Sequence, residues 1–369
     1  MFHWLGGLSS GSCYLPFRGI KRWAWETYWL LQGVVSWIIA PMLIGLLLVP
    51  GLPSILHQAP ARSIALAYFW GFMWGFGGLT FGRSVRYLGQ SLGYAIALGL
   101  TAAFGTLMPP LFSGELGSIA ASRPGQVILL GVGICLIGIV LTGMAGRLKE
   151  KELSHAEKKG TIKEFNFVKG LLVAIFAGIM SACFAYGLAA GKPIAALTKE
   201  YLLRSSRADL WQNLPVLVVV LLGGFTSNFI WSMTLILRNR TASEYLGLPL
   251  KKTVPATSLG AASANPIRLD SKTLAFNYIL SISTGLMWYF QFFFYSMGQT
   301  RMGKYDFSSW TLHMASIIIF STVWGVLLKE WKGSSRRTEV LVALGLAVLV
   351  LSTVVVGLGN YLKLQSAAQ

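Results

Sequence analysis

The sequence predicts an all-α polytopic membrane protein with ten transmembrane helices arranged as two inverted five-helix repeats. Three observations carry that prediction. Ten apolar stretches contain no Asp, Glu, Lys or Arg, in a chain that is 54% hydrophobic and 12% charged. The basic residues between them fall mostly on alternate links. The stretches also divide five and five around a charged connector. A stretch of about 20 residues crosses a hydrocarbon core of roughly 30 Å as a helix. A charge at its centre costs about 2.5–3.5 kcal/mol or more. Helices are expected because lipid cannot satisfy backbone N–H and C=O groups. No stretch alternates as a membrane barrel strand does.

The spans of the first half read 2–17, 30–49, 64–81, 88–108 and 127–145, and those of the second 170–191, 214–237, 274–298, 307–328 and 340–362. The first is short for a crossing. It lacks a basic leading segment and an A-x-A site, so a cleaved signal peptide is a poor reading. Its helix is expected to run on towards Lys21, or to begin upstream of Met1. The connector 147–169, with Lys149, Glu150, Lys151, Glu152 and Lys158, separates repeat one (1–146) from repeat two (170–369) of a single integral domain. Five is odd, so equivalent helices in the two repeats run in opposite directions, a common transporter design. Gly82-x-x-x-Arg86-Tyr-Leu-Gly89 after the third span and Gly298-x-x-Arg301-Met-Gly303 after the eighth are faint traces of such a repeat. The link 238–273, rich in Ala, Ser, Pro and Thr, reads as a long cytoplasmic loop.

A formal net charge of +18 invites a nucleic-acid reading, but 22 of the 31 Lys and Arg lie on one set of alternate links and 9 on the other. The positive-inside rule then places both termini outside and the richer links in the cytoplasm. No basic run is interleaved with stacking aromatics, so the excess marks topology. Cys13, Cys135 and Cys183 lie within spans without metal-ligand spacing and read as buried fillers. Gly71-x-x-x-Gly75, Gly78-x-x-x-Gly82 and Gly187-x-x-x-Gly191 have the spacing of close helix packing.

Polarity returns in the eighth and ninth spans. At about 100° per residue, Asn277, Ser281, Thr284, Trp288, Gln291 and Tyr295 share a stripe about 80° wide. Facing lipid, these groups would lack partners, so the stripe faces the bundle or a wet cavity. Amides, hydroxyls and an indole suit a neutral sugar, which needs directional hydrogen bonds and an apolar surface for its C–H face. An interhelical hydrogen-bond seam is the alternative. Asn277, Trp288, Gln291 and Tyr295 are the candidate substrate ligands. In the ninth span Asp306, Trp310 and His313 share a face at i, i+4 and i+7. His313 has the side-chain type suited to proton exchange, with a satisfied packing histidine as the alternative, and Asp306 either raises its pKa or titrates itself if buried. Glu26, within Trp23-Ala-Trp25-Glu26-Thr27-Tyr28, is a third proton candidate, although its aromatic neighbours also resemble an interfacial belt.

Catalytic motifs do not survive inspection. Gly7-Leu-Ser9-Ser-Gly11 matches G-x-S-x-G but lies in a span rather than a strand-to-helix turn. There is no HExxH, P-loop or dinucleotide fingerprint. No catalytic residue, metal ligand or cofactor is expected beyond a proton as coupling ion. Asn239-Arg-Thr241 is a formal glycosylation sequon on a cytoplasmic link.

Three blocks resemble the L-rhamnose–proton symporters, a branch of the drug/metabolite transporter superfamily. They are 14–27 (Tyr14-Leu-Pro16-Phe17 through Lys21-Arg-Trp23-Ala-Trp25-Glu26-Thr27), 285–295 (Gly285-Leu-Met-Trp288-Tyr-Phe-Gln291-Phe-Phe-Phe-Tyr295) and 305–314 (Tyr305-Asp306-Phe-Ser-Ser-Trp310-Thr-Leu-His313-Met). Arg86-Tyr-Leu-Gly89, Lys192-Pro193 and Leu328-Lys-Glu330-Trp331 are smaller matches. The resemblance covers nearly the whole chain and implies import of L-rhamnose or a related sugar by proton symport across a bacterial cytoplasmic (inner) membrane. The expected partners are the sugar and the lipid bilayer, with no nucleic acid and no obligate protein. A carrier for another small metabolite and a non-transporting sugar sensor are the competing readings.

Overall fold

Runs of Leu, Val, Ile, Phe and Ala with no charge form helices here, and every regular element among the described residues is helical. A computed structural model describes residues 1–88, 90–152, 167–248, 268–328 and 331–366. Gly89, most of the connector (153–166), most of the Ala/Ser-rich loop (249–267) and Glu330 lie outside these residues. The first half contains α1 (Phe2–Ser12), a 3-10 turn (Pro16–Gly19), α2 (Trp25–Val34), α3 (Ala40–Leu48), α4 (Leu52–Gln58), α5 (Ala61–Leu88), α6 (Gln90–Phe112), α7 (Leu116–Ala121) and α8 (Arg123–Glu152). A π-turn over Val35–Ile39 fuses α2 and α3. The second half contains α9 (Phe167–Ala190), α10 (Lys192–Arg204), α11 (Leu214–Asn239), α12 (Ser271–Met302), α13 (Ser308–Leu327) and α14 (Arg336–Ser366).

Seven helical stretches are long and apolar enough to cross a membrane: Trp25–Leu48, Ala61–Phe81, Arg123–Lys149, Val168–Ala190, Asp209–Asn239, Ser308–Leu327 and Arg336–Leu362. The remaining three predicted spans are also helical but differ in kind. The apolar part of α6 is the shorter Ile96–Phe112. At 32 residues α12 has ample length, and the amides and hydroxyls of its stripe lower its hydropathy. The first span departs from expectation: α1 has 11 residues and stops at Ser12 instead of running on to Lys21. Pro16, which has no N–H to donate, opens the 3-10 turn that follows.

Helix α1 lies in the groove between α12 and α13. Its glycines permit this: a Cβ on Gly7 would overlap Ser316, and one on Gly11 would sit 2.9 Å from the Cβ of Phe320. Against α12 it runs antiparallel, with His3 beside Gly298 and the Ser9 hydroxyl donating to the Met287 carbonyl at 2.9 Å. Close backbone approach of this kind replaces the hydrophobic drive that lipid removes. Of the predicted packing glycines, Gly71 and Gly75 abut α11 and Gly187 meets Val220, whereas Gly78 faces open space. The core is aromatic, with Trp29, Trp37, Phe184, Phe292, Tyr295 and Trp310 in one buried cluster. Leu43, Leu47, Leu130, Leu172, Leu237 and Val354 are exposed on the outside. Apolar surface outside and polar side chains inside is the distribution a lipid-embedded bundle requires.

Candidate functional site

A cavity of about 210 Å³ opens at the end of the bundle where α12 turns into α13. Gly303 makes that turn with φ of +55°, a left-handed conformation open to glycine. Three residues on, the Asp306 carboxylate meets the Lys192 ammonium at 3.2 Å. Tyr295, Gln299, Trp310, Asp306, Lys192 and Glu115 line the cavity. Trp310 is fixed as one wall: its indole N–H donates to the Thr101 carbonyl at 3.0 Å, and Phe184 stacks on it at 5.5 Å. Tyr295 stands edge-on to Trp310 at 5.5 Å and 89°. Burial pushes the Asp306 carboxyl above its ordinary range against the pull of Lys192, and nearby Glu115 pushes the same way.

The stripe of α12 leads inward from this cavity and does face the bundle. Asn277, Ser281, Thr284, Gln291 and Tyr295 are buried, and Trp288 is half-buried. Its two ends behave differently. At the far end Asn277 is fully engaged, accepting from Lys21 N–H at 3.0 Å and donating to the Lys21 carbonyl at 2.8 Å. The Ser281 hydroxyl donates to the Asn277 carbonyl at 2.8 Å. Nearer the cavity, Thr284 Oγ1, Trp288 Nε1 and Gln291 Nε2 have no hydrogen-bond partner among the described residues. Gln32 Nε2 and Trp37 Nε1, around the π-turn, likewise have none among them. Gly285 fits this turn closely against α12, since a Cβ there would lie 2.8 Å from the Gln32 carbonyl oxygen. Each buried, unpaired polar group costs about 1–3 kcal/mol.

At the other end, two carboxylates hold α2 and α11 together. Helix α11 closes on Arg240 at φ +57°, and the 3-10 turn Thr241–Leu246 folds beneath α2. From that turn Glu244 Oε2 accepts from the Ala24 N–H at 2.7 Å and the Thr27 hydroxyl at 2.6 Å. From α2, Glu26 Oε1 accepts from Asn239 Nδ2 at 2.8 Å and the Thr241 hydroxyl at 3.3 Å. Each carboxylate thus grips the element that carries the other. The Trp23 indole N–H donates to the Glu244 carbonyl at 3.0 Å, and the Tyr245 hydroxyl donates to the Thr27 carbonyl at 2.9 Å. Burial pushes the Glu244 carboxyl upward against its bonds to Thr27 and Ala24, with added repulsion from Glu26. The formal sequon Asn239-Arg-Thr241 is therefore part of this clasp.

The structure gathers Tyr295, Asp306 and His313 around Trp310, with Gln291 one turn along α12 from Tyr295; Trp288 packs instead on Tyr14 and Trp29, and Glu26 and Asn277 lie at the opposite end. His313 is fully buried behind Tyr295, with ring centroids 5.1 Å apart. Sequence reasoning missed Trp310 as a cavity wall, Lys192 as the partner of Asp306, His3 beside Tyr295, Gln32 at the π-turn and Glu244 in the clasp. Trp310 lay on the Asp306–His313 face and was legible there. The partners of the others lie on different helices, and helical periodicity relates only residues of one helix.

The chain matches the family model described as L-rhamnose-proton symport protein (RhaT) over residues 1–361. It is 34% identical over 364 residues to an L-rhamnose-proton symporter of Cronobacter sakazakii, covering 97% of this chain and 96% of that protein. Like-named proteins of Citrobacter koseri and Salmonella gallinarum are each 34% identical over 363 residues, with the same coverage of both chains. With a fold of apolar membrane-length helices around a polar interior, the chain belongs to the L-rhamnose-proton symport protein (RhaT) family.

Proposed function

We propose that this protein imports L-rhamnose, a neutral 6-deoxyhexose, together with a proton by alternating access across a bacterial cytoplasmic (inner) membrane. The observation that carries the proposal is the row of donors and hydroxyls, Thr284, Trp288 and Gln291, without partners among the described residues and leading inward from a cavity walled by Tyr295 and Trp310. A sugar presents hydroxyls to such donors and a C–H face to an aromatic wall. At about 210 Å³ the cavity is below the roughly 300–1,000 Å³ of drug-sized sites, in keeping with a single sugar ring. Trp288, Gln291 and Tyr295 are proposed as sugar ligands, and Asn277 as a structural tie between α12 and the Lys21 backbone.

Helix packing favours ten spans related as inverted repeats of one domain, 1–146 and 170–369. Helix α1 packs on α12 and α13 as α9 packs on α5 and α6. The contacts of α5 with α11 recur in those of α12 with α2, and those of α6 with α8 in α13 with α14. The pairs α8–α14, α2–α11 and α6–α13 are then their own counterparts. Each of these pairings maps onto another of them or onto itself when every helix is exchanged for the one five spans away. The bias of basic links supports termini outside, so the cavity faces out and the clasp of Glu26 and Glu244 seals the cytoplasmic end. Asp306 would meet the incoming proton, His313 would hold it deeper, and Glu26 acts in the gate.

The test is counterflow in proteoliposomes preloaded with unlabelled sugar. Labelled L-rhamnose should enter transiently, L-mannose should compete poorly, and Trp310→Ala should abolish entry. Entry of labelled L-rhamnose no faster than into protein-free liposomes would refute the reading.

A further inference from the structure

We propose that His3 and His313 act as one pair that binds a single proton behind the sugar cavity, making the N-terminal helix part of the coupling machinery. This rests on the reading of the chain as a proton-driven sugar carrier. The two rings come from different elements, α1 and α13, and converge on the same Tyr295 of α12, at centroid distances of 5.8 and 5.1 Å. They are 8% and 0% exposed. All four of their ring nitrogens lack a hydrogen-bond partner among the described residues.

The backbone makes room for both. A Cβ on Gly298 would lie 2.5 Å from the His3 ring, and one on Gly6 would lie 3.2 Å from Cε1 of His313. A glycine of α12 thus accommodates the imidazole of α1, and a glycine of α1 accommodates that of α13. An apolar ring would fill such space without an unpaired nitrogen. A neutral imidazole offers one N–H and one lone pair. Because both rings flank Tyr295, an added proton on the lone pair of either one disfavours a second on the other.

The surroundings limit the pair to one charge. Helix α12 presents Tyr295 and the Gln291 amide, and α13 presents Trp310. Met1 is the N-cap of the helix that carries His3, and Asp306 lines the same cavity as Tyr295. Among the described residues no carboxylate bonds either ring, so a second proton would meet an uncompensated like charge. Access is short: Tyr295 and Trp310 both line the cavity and both touch His313.

The experiment uses His3→Gln and His313→Gln in proteoliposomes, with labelled L-rhamnose measured two ways. Counterflow at equal pH reports sugar exchange without net proton movement, and accumulation under an imposed pH gradient reports coupling. The expected result is that each variant loses accumulation far more than counterflow, with the double variant no worse than either single one. Native accumulation with a native pH profile in His3→Gln would overturn the pair. So would equal loss of both activities in His3→Gln and in His3→Asn while both variants remain monodisperse in detergent. Absence of counterflow in the unaltered protein would instead refute the sugar-carrier reading.

Discussion

Gln291 and Lys192 show how single side chains would divide the work. Gln291 Nε2 is buried and has no partner among the described residues, so a sugar hydroxyl bonded there would contribute about 0.5–1.5 kcal/mol, or up to roughly tenfold in affinity. Gln291→Leu should therefore raise the concentration for half-maximal rhamnose counterflow by up to about tenfold, with unchanged yield of folded protein. Lys192 acts through charge. It holds the Asp306 carboxyl down against burial, so Lys192→Met removes that restraint and the carboxyl moves further up. A carboxyl is protonated below its pKa. The alkaline limb of pH-dependent uptake should thus shift to higher pH in Lys192→Met, read from uptake rates across a pH series.

Helix contacts explain why small changes in α1 should matter. A Cβ on Gly7 would overlap Ser316, whereas Gly133 on α8 has open space around it. Gly7→Ala should lower the melting temperature in detergent by several degrees, roughly the effect of 1–3 kcal/mol of overpacking, and Gly133→Ala should leave it unchanged. The clasp between α2 and α11 adds a pH dependence. Because burial raises the Glu244 carboxyl, its contribution to stability is full below the unfolded value near ~4.3 and is lost as pH rises through the folded value. Glu244→Gln has no such titration. The melting temperature of the native protein relative to Glu244→Gln should fall as pH rises through that window, as thermal melts over a pH series would show.

At the scale of the whole molecule, charge exclusion made the helices legible, because lipid penalises charge residue by residue. The stripe of α12 was legible for the same reason, since helical geometry fixes which residues share a face. The end of α1 at Ser12 was not, because the contacts that hold this helix come from α12 and α13. Nor was the clasp, in which Glu26 finds Asn239 and Thr241 more than 200 residues away. The stripe allowed both a sugar site and a packing seam; in the structure Asn277 bonds the Lys21 backbone, whereas Gln291 Nε2 has no partner among the described residues. His3 was passed over because an apolar span near a terminus gives no sign of which helices will enclose it.

The most direct test of rhamnose–proton symport is the pH of a lightly buffered medium around sealed, de-energised vesicles containing the protein. Adding L-rhamnose should make the medium alkaline at a rate that tracks sugar entry, and an uncoupler should abolish the change. Sugar entry with no change in external pH would contradict proton coupling.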